Sequence, residues 1–163
     1  MTHWYPLDEA GADIFTGAPH VYRYQLHYDA PPATVWESLA SDESLAAWGA
    51  AVKDVKWLTP RPFAVGTERE VVLAGGLARV RERFFRWDEG RGYSFAGYEA
   101  SFPMFRRFAE DYVLEPDGDG TLFTWTVAVE AKAKFRLPVR VLSPVNGFAF
   151  GRMAADGKKY FAR

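Results

Sequence analysis

From His20 to Asp29 the chain alternates, with Tyr22, Tyr24, Leu26 and Tyr28 on one side and Arg23, Gln25 and His27 on the other. A period of two over this length predicts a half-buried strand. The period then changes. In "APPATVWESLASDESLAAW" Pro31 and Pro32 suit a helix start, Val35, Trp36 and Leu39 make a short apolar face, and Ser41 can cap a second short helix ending near Trp48. Six strand-like runs follow, at roughly 51–59, 66–74, 77–87, 92–100, 105–115 and 121–132, divided by the turn signals "GG", "DEGRG" and "EPDGDG". The last stretch returns to a helical period. Ser143 is placed to cap it with Pro144 at the first helical position. Phe150, Met153, Ala154, Gly157 and Phe161 then share one face, with Arg152, Asp156, Lys159 and Arg163 opposite.

The order is one strand, two short helices, six strands and one long helix, preceded by an aperiodic arm at residues 1–19. An antiparallel sheet of that size twists, and a single helix can cover only its concave face. The expected architecture is α+β: a curved seven-stranded antiparallel sheet wrapped around the C-terminal helix, in one domain spanning residues 20–163. Between sheet and helix this leaves an elongated apolar space. Three helix glycines, Gly147, Gly151 and Gly157, cost roughly 1 kcal/mol each relative to Ala. They imply either close packing on the sheet or room for something bound beneath.

Composition narrows the chemistry. With 20 Lys and Arg against 21 Asp and Glu, the net charge of −1 gives no general attraction to nucleic acid. Phe, Tyr and Trp make up 17% of the chain, a large stock of flat apolar surface for a core or a ligand. There is no cysteine, so no disulfide, thiol nucleophile or Cys-bound metal is expected. His3, His20 and His27 are not at metal-ligand spacing, and no Gly-rich phosphate loop occurs, so neither metal nor cofactor is expected. The N-terminal "MTHWYPLDEAGADIF" has no apolar core and no run approaches a membrane span, which predicts a cytoplasmic protein without stable membrane insertion. Oligomeric state is not legible.

"TEREVVLAGGLARVRERFF" carries the sharpest candidate. A two-residue turn at Gly75-Gly76 pairs residues whose numbers sum to 151. Glu68 then faces Arg83 and Glu70 faces Arg81 on a solvated side. The other side holds Val71 with Val80, Leu73 with Ala78, Thr67 with Phe84, and one charged pair, Arg69 with Glu82. A charge turned inward is expensive unless paired and hydrogen-bonded. The pair either holds two strands together or offers a guanidinium fork to a ligand oxygen, with Glu82 a candidate base that its Arg partner opposes. In the "EPDGDG" hairpin, a matching register sets Leu114, Tyr112 and Glu110 opposite Phe123, Trp125 and Val127; a slip by one residue substitutes Val113 and Asp111. Tyr112 and Trp125 are thus either cavity wall or plain core. So are Tyr24 in its tyrosine stripe and Asn146, Phe150 and Met153 on the helix.

The stretches "YDAPPATVWESLASDESLAAWGAAV", "VGTEREVVLAGGLARVRERFFRWDEGRGYSF" and "EPDGDGTLFTWTV" resemble the START/Bet v 1-like (SRPBCC) superfamily in its bacterial polyketide cyclase/dehydrase and lipid-transport branch, over about residues 20–163. The resemblance implies the helix-grip fold and a hydrophobic small-molecule ligand held between sheet and helix. Expected cavity walls are Tyr24, Val71, Val80, Trp125, Phe150 and Met153, with Arg69, Glu82, Tyr112 and Asn146 as polar groups. Three functions follow: a carrier for an aromatic, polycyclic or lipid-like molecule; an aromatase/cyclase-type enzyme using Arg69, Glu82 and a tyrosine; or a protein-interaction module. An acid/base catalyst should show an inward carboxylate or His without a charged partner.

Overall fold

The computed structural model describes residues 1–162, so Arg163, placed on the polar face of the last helix, lies outside the described residues. Seven long strands follow the expected runs closely: β2 (His20–Tyr28), β3 (Val52–Trp57), β4 (Glu68–Leu73), β5 (Ala78–Asp88), β6 (Gly92–Ala100), β7 (Phe105–Asp117) and β8 (Gly120–Ala131). All pairings are antiparallel in the order β2-β8-β7-β6-β5-β4-β3. In the arm, β1 (Tyr5–Pro6) pairs with Ala100 and Glu99 of β6, beyond the point where β7 leaves that strand. A one-turn helix α1 (Ile14–Gly17) follows and buries Ile14. Register shifts at Val52/Asp54, Arg81/Glu82, Phe84/Arg86 and Phe105/Arg107 bend the sheet, as bulges do.

The two expected short helices are α2 (Pro32–Leu39) and a 3-10 turn at Ser44–Ala47. Glu43, not Ser41, stands at the N-cap of the second, while Ser41 Oγ accepts from the Ser44 amide at 3.0 Å just ahead of the turn. The Gly-Gly connection is longer than expected, because Ala74, Gly75, Gly76 and Leu77 all lie outside the ladder. Gly75 and Gly76 both have positive φ, and Ala74 joins them at 49°. The four-residue loop is centred where a two-residue turn would be, so the register is the expected one, with Arg69 opposite Glu82 and Val71 opposite Val80.

The C-terminal helix α3 (Arg136–Tyr160) begins seven positions before the expected start at Ser143-Pro144. Ser-Pro there is not a cap, and Pro144 sits inside the helix. Pro138 lies in the first turn, where a missing N–H costs nothing, and Val139 is buried, which draws the extra turns into the helix. Its main footing is β2. Tyr22 Oη and Ser143 Oγ share a hydrogen bond at 2.5 Å, Tyr24 Oη donates to the Gly147 carbonyl at 2.5 Å, and Tyr28 Oη donates to the Ala154 carbonyl at 2.8 Å. The helix glycines are close-packing residues: a Cβ at Gly147 or Gly151 would press on the Tyr22 and Tyr24 rings, and one at Gly157 would lie 2.4 Å from Tyr28 Oη. One contiguous core joins Tyr28, Trp36, Phe84, Tyr93, Phe95, Tyr112, Phe123 and Trp125 with Ala154 and Phe161 of the helix side.

Candidate functional site

Alternation along β4 and β5 points Arg69 and Glu82 inward from neighbouring positions, and both are buried. Arg69 Nε donates to Glu82 Oε2 at 2.7 Å. Its Nη1 donates to Ser44 Oγ at 3.1 Å, and Ser44 in turn donates to the Leu39 carbonyl at 2.8 Å. Ser44 is brought there by the positive φ of 46° in the 3-10 turn. Aromatic rings enclose the guanidinium, with centroids at 4.5 Å for Phe95, 5.0 Å for Phe84, 5.4 Å for Trp57 and 5.6 Å for Tyr93. Quadrupoles of these rings favour the cation where water cannot.

Burial works against the Arg69 charge, yet Glu82 and the nearby phenols hold its pKa above the ordinary value. Burial also pushes the Glu82 carboxyl up while Arg69 pulls it back. The two tendencies disagree about how charged the pair is. An arginine keeps its proton at any accessible pH, so at 2.7 Å the pair is ionic. Two donors are left over. Arg69 Nη2 and Tyr93 Oη are buried without a hydrogen-bond partner, although Tyr93 lies close enough to Arg69 and Ser44 to feel both. Native interiors satisfy most such groups.

The β7–β8 register is the matching one: Leu114, Tyr112 and Glu110 oppose Phe123, Trp125 and Val127. It turns a third carboxyl inward. Glu110 Oε2 accepts from Tyr112 Oη at 2.7 Å and from Trp125 Nε1 at 2.8 Å. Among the described residues no arginine or lysine is ion-paired with it. Burial first, and the Glu82 charge second, push its pKa up to about 8. Burial therefore favours the neutral form of Glu110 near neutral pH. Arg69, Glu82 and Glu110 then carry no net charge together.

Of the expected site residues, Arg69, Glu82, Val71, Val80, Tyr112 and Trp125 are all buried in the same core. Tyr24, Phe150 and Met153 are half-buried at its helix side, with Phe150 against Tyr22 at 5.7 Å, and Asn146 is half-buried on α3. Open grooves lie elsewhere. One of about 770 Å³ runs between α2, residues 41–47 and Phe161, and another of about 460 Å³ is lined by His20, Glu130, Arg136 and Arg140. Neither touches the buried carboxyls. On the outer face Glu68 meets Arg83 at 2.7 Å, as expected. Glu70 departs from its expected solvated setting: Arg79 at 2.8 Å and Arg81 at 3.1 Å close over it and leave it only 8% exposed. Glu110, Tyr93 and Ser44 were not singled out from the sequence. The register already placed Glu110 inside, whereas nothing in the periodicity ties Ser44 to Arg69. Among the described residues no group of His, Asp and Glu could hold a metal ion.

Comparison with known proteins agrees with this architecture. An uncharacterised protein of Mycobacterium tuberculosis is 28% identical over 156 residues, covering 96% of this chain and 93% of its own. A START superfamily protein from Mycobacterium smegmatis superposes with a TM-score of 0.73 at 14% identity, over 87% of this chain and 97% of its own. The Zhui aromatase/cyclase of a Streptomyces species does so with a TM-score of 0.65 at 17% identity, over 82% and 90%. At these identities the solved structures speak for the fold alone. Residues 19–159 match the sequence pattern of the family described as polyketide cyclase / dehydrase and lipid transport. With a helix-grip fold and a family match over most of its length, this chain belongs to the polyketide cyclase/dehydrase and lipid-transport family.

Proposed function

We propose that the protein binds an oxygen-bearing hydrophobic molecule, aromatic, polycyclic or lipid-like, between the sheet and α3, with its oxygen held by Arg69 and Tyr93. The observation that carries this reading is the pair of buried donors without acceptors, Arg69 Nη2 and Tyr93 Oη, set among aromatic rings. A carbonyl or phenolic oxygen satisfies both donors, and the flat walls suit a ring system. The uncharged balance of Arg69, Glu82 and Glu110 favours a neutral ligand over an anion. Tyr93→Phe tests the idea. The hydroxyl makes no hydrogen bond, so its loss should leave stability unchanged within about 0.5 kcal/mol or raise it. Affinity for a co-purifying ligand, found by native mass spectrometry, or for an environment-sensitive fluorophore, should fall about fivefold or more. Unchanged binding would remove Tyr93 from the site.

Glu110 favours a second reading, an aromatase/cyclase-type step in the same space. It is the inward carboxyl without a charged partner that acid catalysis requires, and Tyr112 orients it. A neutral carboxyl can hand its proton to a ligand carbonyl oxygen and, as the carboxylate it becomes, take the proton lost from the adjacent carbon. The carbonyl becomes an enol and Glu110 ends protonated as it began. Glu82 is the weaker candidate because Arg69 holds its charge.

A further inference from the structure

We propose that the first half of α3 docks on an anionic lipid surface. Leu137, Val141, Val145 and Phe148 recur at spacings of four, four and three, on the helix face turned away from Val139, Ala154 and Gly157. With Leu142 beside them, all are between 50% and 70% exposed. Single exposed apolar residues are ordinary, but a continuous ridge of them about 17 Å long is not.

The charge pattern selects the occupant. Residues 131–155 hold Lys132, Lys134, Arg136, Arg140 and Arg152 and no Asp or Glu, in a chain whose net charge is −1. Elsewhere most strand arginines are ion-paired, Arg23 of β2 excepted: Arg79, Arg81, Arg83 and Arg86 each hold a carboxylate, as do Arg106 and Arg107. Arg136, Arg140 and Arg152 form no ion pair among the described residues, so their charge is available. A second copy of this chain would bring Arg136 and Arg140 against like charges. Along the helix Arg152 follows in line with the ridge and Arg140 flanks it on one side, an arrangement that a deformable layer of acyl chains and anionic headgroups accepts more readily than a rigid protein face. Apolar residues on one face with basic residues along its edges are what a helix lying in a membrane interface needs. Among the described residues no helix is long and apolar enough to cross a membrane, so this is attachment along the helix side.

The test is flotation of the full-length protein with vesicles of phosphatidylglycerol and phosphatidylcholine, against phosphatidylcholine alone. Binding should be at least about tenfold stronger on the anionic vesicles and should weaken as salt rises. Arg136→Glu with Arg140→Glu should reduce it about tenfold or more, and Val141→Ser with Phe148→Ser should abolish it. Those positions are exposed, so circular dichroism and Tm should stay as in the wild type and confirm folding. Absent binding to anionic vesicles overturns the proposal, as does binding that both double variants retain. A dimer seen by sedimentation that Val141→Ser with Phe148→Ser dissolves, with no vesicle binding, overturns it in favour of self-association. Tyr93→Phe should not change vesicle binding, so this result stands or falls apart from that of the interior site.

Discussion

Glu82 and Glu70 sit on adjacent strands, each carboxylate held by arginine, yet neutralising them should have different effects. Glu82→Gln strands a fully buried guanidinium and should cost about 3–5 kcal/mol in denaturant unfolding. Glu70→Gln leaves Arg79 and Arg81 partly in water and should cost about 1 kcal/mol. Equal small losses would mean that the inner pair is not truly desolvated. Replacing Arg69 and Glu82 together by leucine should come closer to neutral than Glu82→Gln alone, since no charge is then left unpaired. Glu110 makes a separate prediction about pH. Its folded pKa of about 8 lies above the ordinary 4.5, so the folded state keeps a proton that the unfolded state has lost. Its stabilising contribution is whole below 4.5, falls between 4.5 and about 8, and is flat above that. Stability should therefore decline through that window with a slope approaching about 1.4 kcal/mol per pH unit. In Glu110→Gln, whose amide oxygen can still accept from Tyr112 and Trp125, the decline should become much shallower, leaving only the part owed to the raised Glu82. A variant with the wild-type slope would mean that another group titrates.

At the level of elements, the contact between β2 and α3 is made of rings against glycines. Gly157→Ala would drive a methyl into Tyr28 Oη at 2.4 Å and Trp48 at 3.0 Å, and should cost about 1–3 kcal/mol by thermal unfolding. Gly17→Ala, with open space around it and an ordinary φ, should be neutral or slightly stabilising. A neutral Gly157→Ala would show that α3 can lift off β2 at little cost. The strands were legible because period two and the turn residues agreed with each other, and the register of β4 with β5 survived a longer turn than expected. The start of α3 was not. Ser-Pro is a strong local signal for a helix start, and it was overridden by the burial of Val139 and by the hydroxyl pair of Tyr22 and Ser143. The site was half legible: alternation exposes Arg69, Glu82 and even Glu110, while Ser44 and Tyr93 meet the guanidinium only through tertiary closure.

For the molecule as a whole, the decisive pairing is between the first long strand and the last. Gln25 and Thr124, partners across β2 and β8, are 99 positions apart in the chain. The phenols of β2 find their hydrogen-bond partners later still, at Ser143, Gly147 and Ala154. Loop-closure entropy must be overcome before such contacts give anything back, so β2 is among the last strands that can be secured. During synthesis the strand that leaves the ribosome early waits with three tyrosines uncovered until nearly the whole chain has followed it. The sheet can grow from β3 to β8 by neighbouring hairpins alone, but β2 can dock only along β8 and beneath α3. Docking of β2 is therefore tied to the synthesis of α3, and a chain arrested before α3 would present an apolar tyrosine strand to whatever chaperone meets it.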